Sequence, residues 1–131
     1  MSGRSPDYRA WLEKADEDRL CVANELKADR KPWSVICFCA QQAAEKHLKA
    51  FLAFHGAQPK KIHDLRVLLM DCGAFDASLV ELENDCLLLN SCAVDIRYPD
   101  TQVEDEESMG RTAAAASDRI CEAVRQSLPL T

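Results

Sequence analysis

The sequence predicts an all-α protein, an antiparallel up-and-down bundle of four long helices plus one short helix. Its 4 glycines and 5 prolines fall mostly between long segments, and within those segments apolar residues recur every three or four positions, the period of an amphipathic helix. The 131 residues suffice for one hydrophobic core. A single domain therefore covers 1–131, with its core at about 8–126, and short connections make neighbouring helices antiparallel.

The first two helices are predicted from their periodicity and their ends. The first spans about Asp7 to Asp29. The second starts at Pro32, a residue suited to a first helical turn, and continues to about His55, where Gly56 is a natural terminator. Apolar residues surround most of the circumference of this second helix, which indicates a helix at the centre of a bundle or at a subunit interface.

The third and fourth helices are shorter predictions with polar caps. Asp64 or His63 can cap a short third helix that Gly73 closes. The fourth helix opens near Asp76 or Ser78, and the spacing Ser78-x-x-Glu81 is typical of a capping box.

The fifth helix follows a break at Pro99–Asp100. The spacing Thr101-x-x-Glu104 predicts a second capping box, and the acidic residues after it suit a helix N-terminus because they complement the helix dipole. The helix is expected to end near Pro129.

Composition excludes some classes of protein and of site. The formal net charge of -6 opposes broad, nonspecific attraction to nucleic acid, so any phosphate must be bound locally. No apolar run is long enough for a membrane span, and the first ten residues lack the apolar core of a signal peptide. A cytoplasmic protein is expected.

Seven cysteines raise the question of disulfides or zinc. An odd number without a secretion signal predicts reduced thiols. Cys37 and Cys39 would point about 200° apart on one helix, so they cannot chelate together and are interpreted as small buried apolar residues. No metal site and no cofactor are predicted.

The order of four segments resembles the HEPN domain family (higher eukaryotes and prokaryotes nucleotide-binding). These segments are WLEKADEDRLCVANEL, CAQQAAEKHLKAFL, KKIHDLRVLL and DIRYPD, and the resemblance spans most of the chain, from about Tyr8 to Val124. The resemblance implies a helical bundle of four or five helices that is commonly a homodimer. It also implies a small nucleotidyltransferase as a possible partner, as in toxin–antitoxin pairs, and nucleotide binding or metal-independent RNA cleavage as the activity.

The ribonuclease motif of the family is incomplete here. Many HEPN ribonucleases carry an arginine and a histidine that are separated by four to six intervening residues. Arg97 stands in the arginine-like position, but 102–104 contain no histidine, and Arg66 and Arg111 have none at that spacing either. Metal-free RNA cleavage needs a base and an acid as well as a cation, and arginine is a poor base near neutral pH. If the chain is a ribonuclease, Tyr98 or His63 must replace the histidine.

The candidate ligand-binding residues are Arg97, Tyr98, Asn90, Lys46, Lys49 and His63. Arg97 could bind a phosphate and Tyr98 could stack or donate a hydrogen bond, or the two could simply cap and pack the end of the fourth helix. Asn90 lies seven residues before Arg97 and shares its helical face.

The basic candidates also have structural alternatives. Lys49 could form an intrahelical pair with Glu45, and periodicity does not show whether Lys46 or Lys49 faces the ligand. His63, with Lys60 and Lys61 before it, precedes a helix start and could form an anion site there, although exposed loop lysines are the commoner outcome.

Three hypotheses of function follow. The first is a HEPN-like protein that binds a nucleotide or RNA phosphate and pairs with a nucleotidyltransferase-type partner. The second is a metal-independent endoribonuclease of a toxin–antitoxin pair, with Arg97 and Tyr98 catalytic. The third is a dimeric adaptor without a ligand. No membrane partner is expected.

Overall fold

The fold is known from a computed structural model, which describes residues 7–95 and 105–129. The described helices are α1 (Tyr8–Lys27), α2 (Trp33–Phe54), α3 (Leu65–Gly73), α4 (Glu83–Asp95) and α5 (Glu106–Gln126), with a 3₁₀ helix (Ala77–Leu82) before α4. The described part of the chain contains no strand. The predicted fold class, four longer helices and one short helix, is confirmed.

Local sequence signals set most of the helix ends as predicted. Asp7 caps α1, since its carboxylate accepts a hydrogen bond from the Arg9 amide at 3.0 Å. Gly56 follows α2 with a φ of 77°, a left-handed conformation that glycine adopts without steric cost. Asp64 rather than His63 caps α3. Two aspartate caps and one glycine thus fix one end each of α1, α2 and α3.

The predicted capping box at Ser78 is wrong. Asp76 is the cap, and its carboxylate accepts from both the amide and the hydroxyl of Ser78, at 3.0 and 2.6 Å. The segment then forms a 3₁₀ helix that buries Leu79 before α4 begins at Glu83. Ser78 is therefore a donor within the cap, not the capping acceptor.

The described fifth helix begins at Glu106. Asp105 is the cap of α5, and its carboxylate accepts from the Ser108 amide at 2.9 Å. The predicted break at Pro99–Asp100 and the box Thr101-x-x-Glu104 lie outside the described residues.

Helix α2 lies at the centre of the fold and contacts α1, α3, α4 and α5. Leu48 and Phe51 of α2 pack against Leu68 of α3, Leu89 of α4 and Ile120 of α5 in one hydrophobic core. Of the two predicted settings for this apolar helix, the bundle centre is the one observed. Most of its apolar circumference fills the core, and three of its large apolar side chains stay partly exposed.

Two helix starts meet at Trp33 and Gly110. A Cβ atom added to Gly110 would lie 2.5 Å from Cε3 of the Trp33 ring, closer than carbon atoms can approach. The Trp33 ring at the start of α2 therefore rests directly on the backbone of the second turn of α5. Only glycine allows this approach.

The seven cysteines are all free thiols. Six are buried, as predicted for Cys37 and Cys39, and Cys21 is half-buried. Burial raises the pKa of Cys37, Cys72 and Cys86 to about 12, so these thiols stay protonated. Among the described helices none has the length and apolar character needed to span a membrane.

Candidate functional site

A polar cluster of Gln41, Glu45, Lys49 and His63 lies where the middle of α2 meets the start of α3. The side chain of Glu45 is 4% exposed, yet it accepts hydrogen bonds from three groups. Lys49 Nζ lies 3.1 Å from Oε2, His63 Nδ1 lies 3.0 Å from Oε1, and Gln41 Nε2 lies 3.3 Å from Oε1. These contacts explain how a carboxylate is tolerated at this depth.

The helical repeat of α2 builds this cluster. Gln41, Glu45 and Lys49 are spaced by four residues, so they share one face of the helix. Gln41 Nε2 also donates to the backbone carbonyl of His63 at 3.2 Å, which fixes the loop residue just before the α3 cap. The loop is therefore held in place by α2 itself.

His63 is the exposed member of the cluster, with 79% of its side chain accessible. Its Nδ1 is bound to Glu45, whereas Nε2 has no hydrogen-bond partner among the described residues. A carboxylate that holds one ring nitrogen fixes the orientation of the imidazole and leaves the other nitrogen for a ligand or a proton. His63 can thus act as a cationic donor when protonated or as a base when neutral.

Asn90 fastens α4 to the start of α3. Its Oδ1 accepts from the Leu65 amide at 3.1 Å, and its Nδ2 donates to Asp64 Oδ1 at 2.9 Å. Asp64 in turn accepts from the amides of Arg66 and Val67 at 3.0 and 3.4 Å. The first amides of α3 therefore already have acceptors within the protein, and Asn90 lies beside the neighbour of His63.

The two candidate lysines point to different partners. Lys46 Nζ forms a salt bridge with Asp18 of α1 at 2.6 Å. Lys49, with 8% of its side chain exposed, pairs with Glu45 as predicted and lies 5.5 Å from the centre of the Trp11 ring. Trp11 Nε1 is buried and has no hydrogen-bond partner within the described part of the chain. Each lysine thus has a carboxylate of its own.

The structure brings only some of the predicted site residues together. Lys49 and His63 meet at Glu45, and Asn90 lies next to them through Asp64, whereas Lys46 bonds to α1. Arg97 and Tyr98 lie outside the described residues.

Sequence reasoning missed Gln41 and the central role of Glu45. The available signal was polar residues spaced by four on a helix that is otherwise apolar. Within the described ranges no group of three or more His, Cys, Asp or Glu side chains could hold a metal ion.

The histidine of α2, His47, has a structural environment of a different kind. It is fully buried. Its Nδ1 lies 2.7 Å from the Ala43 carbonyl, and its Nε2 accepts from Arg125 Nε at 3.1 Å. Burial lowers the pKa of His47 to about 4, so the ring is neutral near pH 7 and joins α2 to the end of α5.

A groove of about 690 Å³ lies between α1 and α5 over α2. Its lining includes the alanines Ala23, Ala40, Ala43, Ala114 and Ala115. Ion pairs cross from one wall to the other, from Arg19 to Asp118 and Glu122 and from Arg125 to Asp16. The groove contains none of the predicted site residues.

Comparisons with known proteins identify the fold and the family. The HEPN domain family model matches residues 8–127. The crystal structure of an archaeal HEPN homologue is 22% identical to this chain and covers 94% of it and 98% of its own length, with a TM-score of 0.71. At this identity the likeness shows the fold. A search of curated proteins finds no match.

The family model covers all of the described helices, from the first residue of α1 to just beyond the end of α5. Membership supports a general function of the HEPN type, related to nucleotides or RNA. The chain belongs to the HEPN domain family.

Proposed function

We propose that this protein binds a phosphate group of a nucleotide or of RNA at the exposed imidazole of His63, together with Arg97 and Tyr98. The observation that carries the proposal is the contact between exposed His63 and buried Glu45. A histidine held in this way presents Nε2 in one orientation, and a protonated imidazole forms a charge-assisted hydrogen bond with a phosphate oxygen.

The roles of the other candidates follow from their contacts. Lys49 neutralises Glu45, and Asn90 holds α4 against the residue next to His63, so both position the site without needing to touch the ligand. Arg97 and Tyr98 follow the last described residue of α4, Asp95, by two and three positions in the sequence, which favours their joining His63. Lys46 would have to leave Asp18 to bind a phosphate.

Calorimetry with nucleotides and short RNA tests this proposal. We expect His63→Ala and Arg97→Ala each to weaken binding by about tenfold or more, since a hydrogen bond to a charged group contributes about 1.5–3 kcal/mol. Lys14→Ala is the matched control, because Lys14 is an exposed lysine of α1 that pairs with Glu17 on the same helix. Affinity that stays unchanged in both site variants would remove the proposed site.

A second candidate function, metal-independent RNA cleavage, is favoured by the same contact. Glu45 bound to Nδ1 leaves Nε2 of His63 free to accept the proton of a 2′-hydroxyl, the task of the histidine that the family motif lacks here. We expect wild-type protein to cleave RNA in the presence of a chelator and His63→Gln to lose this activity by a factor of about 100 or more. Absence of cleavage by the wild type, alone or with its partner protein, would contradict this function and leave the binding proposal standing.

We further propose that the protein forms a homodimer and pairs with a small nucleotidyltransferase. Most of α2 packs against the other helices, so we expect a second copy to use an outer surface, and the alanine-lined groove with Leu20, 60% exposed, at its edge supports one. Sedimentation at micromolar concentration should then show a species heavier than 14.6 kDa. A single species of monomer mass, both alone and with added nucleotide or RNA, would exclude the homodimer and with it the dimeric adaptor.

A further inference from the structure

The thiols of Cys21 on α1 and Cys39 on α2 form an isolated pair at the interface of the two helices. Their sulfur atoms are 2.9 Å apart, well inside the usual separation of two sulfur atoms that are not covalently bonded. The two residues are 18 positions apart in the sequence, and the short connection between α1 and α2 brings them side by side. No other cysteine pair of the described chain has a sulfur–sulfur contact at hydrogen-bonding distance.

Accessibility differs between the two thiols. Cys21 is half-buried, whereas Cys39 is 9% exposed. A small oxidant can therefore reach Cys21 first, and Cys39 lies behind it in the position of a resolving thiol. Burial, with the hydrogen bond to Cys21, raises the pKa of Cys39 to about 12, so Cys39 is not the residue that reacts first.

We propose that Cys21 and Cys39 are a reversible oxidation site at which hydrogen peroxide closes a disulfide between α1 and α2. The sulfur of Cys21 attacks one peroxide oxygen, the O–O bond breaks, and the departing hydroxide takes up a proton to leave as water. The sulfur of Cys39 then attacks the sulfenic sulfur of Cys21. The S–O bond breaks, the departing oxygen takes the Cys39 proton and leaves as a second water, and an S–S bond forms.

The contact between the two thiols favours formation of the disulfide over further oxidation of Cys21. The sulfenic acid formed on Cys21 has a thiol already in contact with it, so the step that forms the disulfide needs only a small approach of the two sulfur atoms. The disulfide would join α1 to the helix that carries Gln41 and Glu45. Thiol reductants would reverse the reaction.

The other five cysteines serve as internal controls. Cys37, Cys72, Cys86, Cys92 and Cys121 are all buried. Because they are inaccessible in the folded chain, a stoichiometric dose of peroxide should leave them as thiols.

Peptide mapping of the peroxide-treated full chain tests the proposal. After free thiols are alkylated in denaturant, we expect a linked peptide pair containing Cys21 and Cys39 that disappears on reduction. The oxidised wild type should melt roughly 10 °C higher than the reduced form, because the cross-link constrains the unfolded chain. Cys21→Ala and Cys39→Ala should show neither the link nor this shift, and Cys121→Ala should show both.

Two results would overturn the proposal. The first is recovery of both Cys21 and Cys39 as alkylated thiols, or of Cys21 as a sulfinic acid, from wild type treated with one equivalent of peroxide. The second is a set of links distributed among the seven cysteines. Both readouts are independent of ligand binding at His63, so they distinguish failure of the redox site from failure of the proposed function.

Discussion

Replacement of Glu45 by alanine should lower the free energy of unfolding by about 3–5 kcal/mol, because it leaves a buried ammonium group without its partner. The side chain of Lys49 is 8% exposed, and it forms a salt bridge with Glu45 at 3.1 Å. His63 and Gln41 lose an acceptor in the same variant. Urea denaturation of wild type and Glu45→Ala measures this difference.

A double variant and an exposed ion pair of the same spacing test whether the loss of stability comes from the unpaired buried charge. Glu45→Leu combined with Lys49→Met removes both charges and should recover most of the lost stability, since well-packed apolar side chains often replace a buried ion pair without cost. Arg111 and Glu107 of α5 have the same spacing of four residues but are more than half exposed, so Glu107→Ala should change stability by about 0.5 kcal/mol or less. Equal losses in Glu45→Ala and Glu107→Ala would show that burial of the first pair has no energetic consequence.

Acidification from pH 6.5 to about pH 4 should cost the protein about 3 kcal/mol of stability through His47 alone. Its folded-state pKa of about 4 is set mainly by burial, with Arg125 and Arg19 also lowering it and the Ala43 carbonyl and Asp16 opposing the shift. The unfolded histidine titrates near 6.5. Above that pH the ring is neutral in both states, and below it the unfolded chain binds the proton more strongly, so stability falls as the pH falls.

Denaturation of wild type and His47→Gln across this pH range isolates the effect. The variant is expected to be less stable near pH 7, because it alters the contacts to Ala43 and Arg125, but its stability should change less between pH 6.5 and pH 4. His55→Gln, which changes an exposed histidine at the end of α2, is the matched control for the removal of a histidine. Parallel profiles of unfolding free energy against pH for wild type and His47→Gln would contradict the role of His47 in this pH dependence.

Much of the fold could be predicted because short polar caps and single glycines determine helix ends locally. Asp7, Asp64 and Gly56 act where the sequence indicates. The segment from Ala77 to Leu82 could not be predicted in detail, because two polar residues, Asp76 and Ser78, both suit a cap and the choice depends on how Leu79 is buried. Where local signals are equal, tertiary packing decides.

The site was less predictable than the fold because its central contact joins residues far apart in the sequence. His63 meets Glu45 across 18 positions, and no local pattern reveals that pairing. The pairing of Lys49 with Glu45 could be predicted from their spacing of four residues, whereas the partner of Lys46 depends on the position of Asp18 on α1. The predictions for Arg97 and Tyr98 remain predictions.

The chain has 2 tryptophans, and their surroundings give the protein two separate natural fluorophores. Trp11 lies beneath the ammonium group of Lys49 at the polar cluster, whereas Trp33 rests on Gly110 where α2 and α5 start. Each indole emission reports a different region, so replacing one or the other by phenylalanine would yield a spectroscopic probe of ligand capture and another of the α2–α5 junction, with no added label.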